Sequence, residues 1–84
     1  MPHIREILNE IKWTKDLRDV TVWYIHRGAL RNMKCISGVE ITGIGKSFLE
    51  TTSASIPYHR IVKIMYGNNI VFNRFKLHQK DKQL

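Results

Sequence analysis

The sequence has little of several features that mark particular classes of protein. Cys35 is the one cysteine in 84 residues, so no disulfide can form within the chain, as is usual in a reducing compartment. No apolar run approaches the roughly 20 residues that a membrane-spanning helix needs. The N-terminus also lacks the basic-then-apolar order of a signal peptide. These absences predict a cytoplasmic protein that is not embedded in a membrane.

Recognisable metal and nucleotide motifs are also missing. The four histidines and Cys35 show none of the close pairings that are typical of metal sites, so neither a metal nor a cofactor is expected. Gly45-Lys46-Ser47 looks like the end of a phosphate-binding P-loop. However, Glu40 stands where that motif needs its first glycine, and the residues after Ser47 predict a strand instead of a helix. Lys46 remains a turn lysine that can meet a phosphate as a point charge.

Acidic residues are scarce relative to basic ones. The chain has 14 Lys and Arg against 7 Asp and Glu, which gives a formal net charge of +7. A basic excess of this size in a small protein favours anionic partners, with nucleic acid foremost. The alternative is a basic protein whose charge serves only its solubility.

Hydrophobic periodicity predicts one helix at the start of the chain. Ile4, Ile7, Leu8 and Ile11 follow the spacing of one stripe of an amphipathic helix. We expect this helix over residues 3–12. It is too short to be stable alone and must dock on other elements.

The remainder of the chain is rich in β-branched and aromatic residues separated by turn residues. It predicts five short strands, over residues 20–27, 35–44, 47–51, 58–65 and 70–75. Short connections such as Gly67-Asn68-Asn69 imply antiparallel pairing. The predicted fold is α+β, an N-terminal helix followed by a five-stranded antiparallel, barrel-like sheet. Residues 1–75 would form a single domain, and residues 76–84 a basic, flexible tail.

Two His-Arg pairs beside aromatic residues are the candidate site. His26-Arg27 follows Tyr24-Ile25, and His59-Arg60 follows Pro57-Tyr58. Arginine offers a planar fork to phosphate oxygens, and histidine adds one or two donors. Neighbours on a regular strand point to opposite faces, so a shared pocket requires a strand end or a bulge. Gly28 and Pro57 adjoin the pairs and favour such an interruption.

Three interpretations of these pairs are compatible with the residues. They can form a phosphate pocket in which Trp23, Tyr24 or Tyr58 stacks a base, as single-stranded RNA binders require. His26 and His59 can instead serve as general base and general acid in cleavage at a phosphate. They can also be solvated residues at two strand ends. The residue types alone leave these alternatives open.

The order of these motifs resembles a small, mostly archaeal family of uncharacterised proteins that carry the RNA cyclic group end recognition domain. The resemblance covers residues 4–73 and depends on Tyr24-Ile25-His26-Arg27-Gly28, Glu40-Ile41, Gly45, Phe48-Leu49-Glu50, Ile56-Pro57-Tyr58-His59-Arg60-Ile61, Gly67 and Val71. One departure lies in the last strand, where the family pattern has a Trp followed by an acid and this chain has Phe72-Asn73-Arg74.

The resemblance implies binding of RNA ends that carry a 2′,3′-cyclic or terminal phosphate, in RNA processing. Arg27 and Arg60 would then hold the phosphate, and His26 and His59 would donate hydrogen bonds to it. Tyr58 would pack or stack. Lys46, Lys34 and Arg31 would add non-specific attraction. The alternatives are an RNA-end phosphoesterase that uses His26 and His59, and a protein-interaction module that contacts RNA-processing proteins.

Overall fold

The computed structural model describes residues 4–28 and 32–74. Residue 3, where the helix was predicted to begin, Arg31 and the predicted basic tail lie outside these residues. The described part confirms an α+β fold with an N-terminal helix and antiparallel strands.

Helix α1 spans Ile4–Thr14. Its apolar stripe faces inward, since Ile4, Leu8 and Ile11 are buried and Ile7 is half-buried. At its C-terminal end the Thr14 hydroxyl donates to the carbonyl oxygen of Glu10 at 2.6 Å. In the described part of the chain no helix is long and apolar enough to cross a bilayer.

The strands form two antiparallel sheets. A four-stranded sheet has the order β2-β1-β6-β7, and a three-stranded sheet has the order β3-β4-β5. The strands span Val20–Ile25 (β1), Met33–Ser37 (β2), Ile41–Ile44 (β3), Phe48–Thr51 (β4), Ser55–Pro57 (β5), Ile61–Tyr66 (β6) and Asn69–Asn73 (β7). Strand β1 is central because it pairs with both β2 and β6.

The prediction of five strands in a barrel-like sheet is wrong, because the described residues form seven strands in two sheets that do not close into a barrel. Two 3₁₀ turns depart from the predicted strands. Gly38–Glu40 interrupts the predicted strand 35–44 and separates β2 from β3. Tyr58–Arg60 occupies the first three residues of the predicted strand 58–65 and separates β6 from β5, a strand that was not predicted. The first turn is stabilised by a capping box in which the Ser37 hydroxyl accepts from Val39 and the Glu40 carboxylate accepts from the Ser37 backbone.

One hydrophobic core lies between α1 and the inner faces of both sheets. It comprises Ile4, Leu8, Ile11, Val20, Val22, Tyr24, Ile36, Leu49, Ile56, Ile61 and Ile64. Every described strand except β3 and β7 supplies a buried residue to this core, and those two strands add half-buried Ile41, Ile44 and Phe72. Packing in this core, instead of a shared hydrogen-bond ladder, therefore fixes the two sheets relative to each other.

Substituting Gly38 by alanine tests how closely the turn at residues 38–40 approaches the segment after α1. A Cβ at this position would lie 1.6 Å from the carbonyl oxygen of Leu17, which is backbone and cannot move aside alone. We expect Gly38→Ala to lower the free energy of unfolding by about 3 kcal/mol, at the upper end of overpacking costs. Urea unfolding followed by circular dichroism measures this loss.

Gly43→Ala is the matched control. A Cβ at Gly43 would meet nothing closer than 3.8 Å, and alanine restricts the unfolded chain more than glycine does. The control should unfold within about 1 kcal/mol of the parent protein. Equal stability of the two alanine variants would contradict the close approach at Gly38.

Candidate functional site

The 3₁₀ turn at Tyr58–Arg60 places both residues of the second His-Arg pair at the surface. Pro57 precedes it in an extended conformation, and the Ile61 N–H closes it by donating to the carbonyl oxygen of Tyr58. The Tyr58 N–H donates to the carbonyl oxygen of Ser47 at 3.3 Å. Since the turn breaks the alternation of a strand, His59 and Arg60 are both exposed.

The first His-Arg pair lies just beyond the end of β1. The strand ends at Ile25, and the His26 N–H donates to the carbonyl oxygen of Asn32 at 2.9 Å. Gly28 has a φ of 91°, a left-handed conformation that suits glycine. Tyr24 pairs with Ile61 across a bulge in β6. This pairing brings the end of β1 beside the turn at residues 58–60.

The end of β1 and this turn enclose a cavity of about 320 Å³, here called the β1-end cavity. His26, Lys34 and Arg60 line it, and no Asp or Glu does so among the residues that the structure describes. The imidazole of His26 also contacts the Tyr24 ring edge-on, with centroids 6.2 Å apart. The cavity therefore brings together one residue of each His-Arg pair, and its described lining carries positive charge without a carboxylate.

A serine that lines the β1-end cavity already donates its hydroxyl hydrogen bond within the protein. Ser55 lines the cavity, and its hydroxyl donates to the Glu50 carboxylate. The adjacent turn is held by Thr51, whose hydroxyl donates to the carbonyl oxygen of Ala54 at 2.7 Å. The charged side chains that line this cavity are Lys34 and Arg60, and His26 beside them adds a further nitrogen donor.

A second cavity, of about 460 Å³, lies on the other side of the same turn, against α1. We call it the helix-side cavity. His59 and Tyr58 line it together with three cations, Arg5, Lys46 and Arg74, and with Ile4 and Phe72. Glu6 is the one acid among its described lining residues, so the cationic side chains outnumber the acidic ones.

The Tyr58 side chain ties the turn at residues 58–60 to the β3–β4 turn. Its hydroxyl donates to the carbonyl oxygen of Gly45 at 2.6 Å, and its ring packs against the core. Burial raises the pKa of the Tyr58 phenol, with the Glu50 carboxylate acting in the same direction and Arg5 opposing it. The hydroxyl thus stays a neutral donor and fixes the turn that carries Lys46.

Arg74 is oriented by the strand that follows the second His-Arg pair. Its Nε and Nη2 donate to the carbonyl oxygen of Ile61 at 3.2 and 2.8 Å. Its guanidinium also lies 5.5 Å from the centroid of the Phe72 ring. Two of its five N–H donors are used in this way, which leaves three without a partner among the described residues.

The structure therefore divides the predicted site residues between two cavities. His26 and Arg60 line the β1-end cavity, and Tyr58, His59 and Lys46 line the helix-side cavity. Arg27 is exposed and lines neither of them. Within residues 4–28 and 32–74, no group of three His, Cys, Asp or Glu side chains is placed to hold a metal ion.

Some lining residues were not singled out from the sequence. Arg5 lies on the polar face of α1 and Arg74 directly after β7, so only the tertiary fold brings them beside residues 58–60. Lys34 was predicted to add only general attraction, yet it lines the β1-end cavity. The register that pairs Tyr24 with Lys34 across β1 and β2 accounts for its position.

Comparisons with known proteins identify the relatives of this chain. Residues 1–74 match the sequence profile of the MJ1316 RNA cyclic group end recognition domain, which confirms the resemblance seen in the motifs. A UPF0248 protein of Thermococcus gammatolerans is 37% identical over 70 residues, which are 81% of this chain and 83% of the relative. The UPF0248 protein MJ1316 of Methanocaldococcus jannaschii is 42% identical over 65 residues, or 73% of this chain and 78% of the relative.

A third relative shows how far the similarity extends. The UPF0248 protein PAE2518 of Pyrobaculum aerophilum is 31% identical over 78 residues, which cover 87% of this chain and all of the relative (100%). No solved structure matches the chain.

Removing the Tyr58 hydroxyl tests its role in fixing the site. Tyr58→Phe loses the bond to Gly45 and should lower the free energy of unfolding at pH 8 by about 1 kcal/mol. Because the folded-state pKa of Tyr58 is raised above its ordinary value of 10.0, the unfolded phenol ionises first as the pH rises. The parent protein then loses stability above pH 10, and the difference between the two proteins should shrink.

Urea unfolding at pH 8 and above pH 10 measures both effects. Tyr66→Phe is the control, since the Tyr66 hydroxyl has no hydrogen-bond partner among the described residues and lies outside both cavities. If the stability difference between the parent protein and Tyr58→Phe grew as the pH rose, the role of the neutral Tyr58 hydroxyl as a donor to Gly45 would be wrong.

Proposed function

This chain belongs to the family of the MJ1316 RNA cyclic group end recognition domain, and on that premise we propose that it binds RNA ends carrying a 2′,3′-cyclic or terminal phosphate. The observation that supports the proposal is the β1-end cavity. It joins His26 of the first His-Arg pair to Arg60 of the second, with Lys34 beside them. At about 320 Å³ it lies at the lower end of the size range of ligand pockets, which suits a terminal ribose phosphate.

Each of three lining side chains has a distinct role in this proposal. Arg60 presents its planar fork to two phosphate oxygens, which a lysine cannot do. His26 donates a hydrogen bond to the same group, and Lys34 contributes a point charge. The net charge of +7 draws the RNA to the protein, but this attraction is independent of the chemistry of the end.

The arrangement of the histidines favours binding over cleavage. A general acid and a general base must both reach groups at the one reacting phosphate. His26 lines the β1-end cavity, whereas His59 lines the helix-side cavity on the other side of the turn. We therefore propose recognition of the end without hydrolysis.

Arg60→Lys keeps the positive charge but removes the planar guanidinium, so it tests whether Arg60 holds the phosphate through two hydrogen bonds. Short RNAs of one sequence that end in a 2′,3′-cyclic phosphate, a 3′-phosphate or a 3′-hydroxyl are titrated against each protein at two salt concentrations. The parent protein should prefer the phosphate-bearing ends at both concentrations. The variant should lose about tenfold in affinity for those ends, because the bidentate fork is gone, and should bind the 3′-hydroxyl RNA as before.

Arg18→Lys is the matched control, because Arg18 is an exposed arginine outside both cavities whose partner is Asp16 at 2.8 Å. It should bind all three RNAs as the parent does. Equal affinity of the parent protein for the three ends, with a steep salt dependence, would reduce the activity to general RNA binding and contradict the proposal. Release of a hydrolysed end during the titration would instead favour a phosphoesterase.

A further inference from the structure

The helix-side cavity has no role in the binding of a single phosphate at the end of an RNA. It nevertheless gathers three cations from distant parts of the chain, Arg5 from α1, Lys46 from the β3–β4 turn and Arg74 from the end of β7. Only Glu6 opposes them among its described lining residues. A concave site with this balance of charge attracts an anion.

Two cationic side chains of the helix-side cavity, Arg74 and Lys46, keep donors that no described residue uses. The Arg74 guanidinium is held in place by its two bonds to the carbonyl oxygen of Ile61. Its remaining donors therefore lose little freedom when they bind an anion. Lys46 is exposed on a turn that Tyr58 fixes through Gly45, and it has no hydrogen-bond partner within the described residues.

The two cavities adjoin each other across the turn at residues 58–60. His59 lines one and Arg60 lines the other, and the Cα atoms of consecutive residues are about 3.8 Å apart. Two anions bound in the two cavities would thus flank a single turn of backbone. A nucleotide at the 3′ end of an RNA presents this pattern, because it carries one phosphate on its 5′ oxygen and another at its 2′ and 3′ oxygens.

We infer that the helix-side cavity binds the 5′-phosphate of the terminal nucleotide while the β1-end cavity binds its 2′,3′-cyclic phosphate. The inference rests on the proposed function and extends it, since the ligand becomes a whole terminal nucleotide with both of its phosphates. In this binding mode the turn at residues 58–60 lies between the two phosphates and faces the ribose. Lys46, Arg5 and Arg74 are the residues that distinguish an RNA end from a nucleoside cyclic phosphate.

Two small ligands separate the two phosphates experimentally. Adenosine 2′,3′-cyclic phosphate carries only the cyclic group, and 5′-phosphoadenosine 2′,3′-cyclic phosphate adds the second phosphate. Isothermal titration of the parent protein should show about tenfold tighter binding of the second ligand, the scale of one additional charge-assisted contact. Lys46→Gln and Arg5→Gln should each reduce this gain to threefold or less, and should change the affinity for the first ligand no more than the loss of a lysine outside both cavities does.

Lys12→Gln is the control for charge, since it removes one exposed lysine outside both cavities. It should retain the tenfold gain. If the first ligand binds and the 5′-phosphate adds nothing, or if both glutamine variants keep the whole gain, this inference is wrong and the proposed function stands. If the parent protein binds neither small ligand and does not discriminate among the RNA ends, both are wrong.

Discussion

The arrangement of both cavities depends on how the short turn at Tyr58–Arg60 is held. Its first residue is bonded twice to the β3–β4 region, through the Tyr58 N–H to Ser47 and through the Tyr58 hydroxyl to Gly45. The carbonyl oxygen of Ile61, just after the turn, accepts two bonds from Arg74. Because one turn lines both cavities, these bonds fix His59 and Arg60 relative to each other and to the cations around them.

Charge acts at two levels in this protein. The excess of basic residues, 14 against 7 acidic ones, attracts any polyanion and is weakened by salt. Discrimination among RNA ends needs directional donors as well. The β1-end cavity offers such donors from Arg60 and His26, and its Ser55 hydroxyl is already bonded to the Glu50 carboxylate. Because general attraction depends on net charge and discrimination on directional donors, we expect the preference for phosphate-bearing ends to persist at a salt concentration that weakens overall affinity.

Much of the fold follows from local patterns. The apolar stripe predicts α1, and Gly28 and Pro57 mark the interruptions beside the His-Arg pairs. The 3₁₀ turn at Gly38–Glu40 was predicted as strand because its β-branched neighbours favour a strand, although the Ser37-to-Glu40 spacing is a capping-box signal. The turn at Tyr58–Arg60 was likewise predicted as the start of a strand, although Pro57 marks an interruption just before it. The split of the site could not be predicted. It depends on contacts between residues 13 apart, Tyr58 with Gly45 and Arg74 with Ile61, which no local pattern specifies.

A crystal structure of the protein with a short RNA that ends in a 2′,3′-cyclic phosphate would show where the end is bound. We expect the cyclic phosphate in the β1-end cavity, with Arg60 and His26 at about 2.7–3.2 Å from its oxygens. A cyclic phosphate bound elsewhere on the surface, without contact to Arg60 and His26, would overturn the proposed recognition of RNA ends by this cavity.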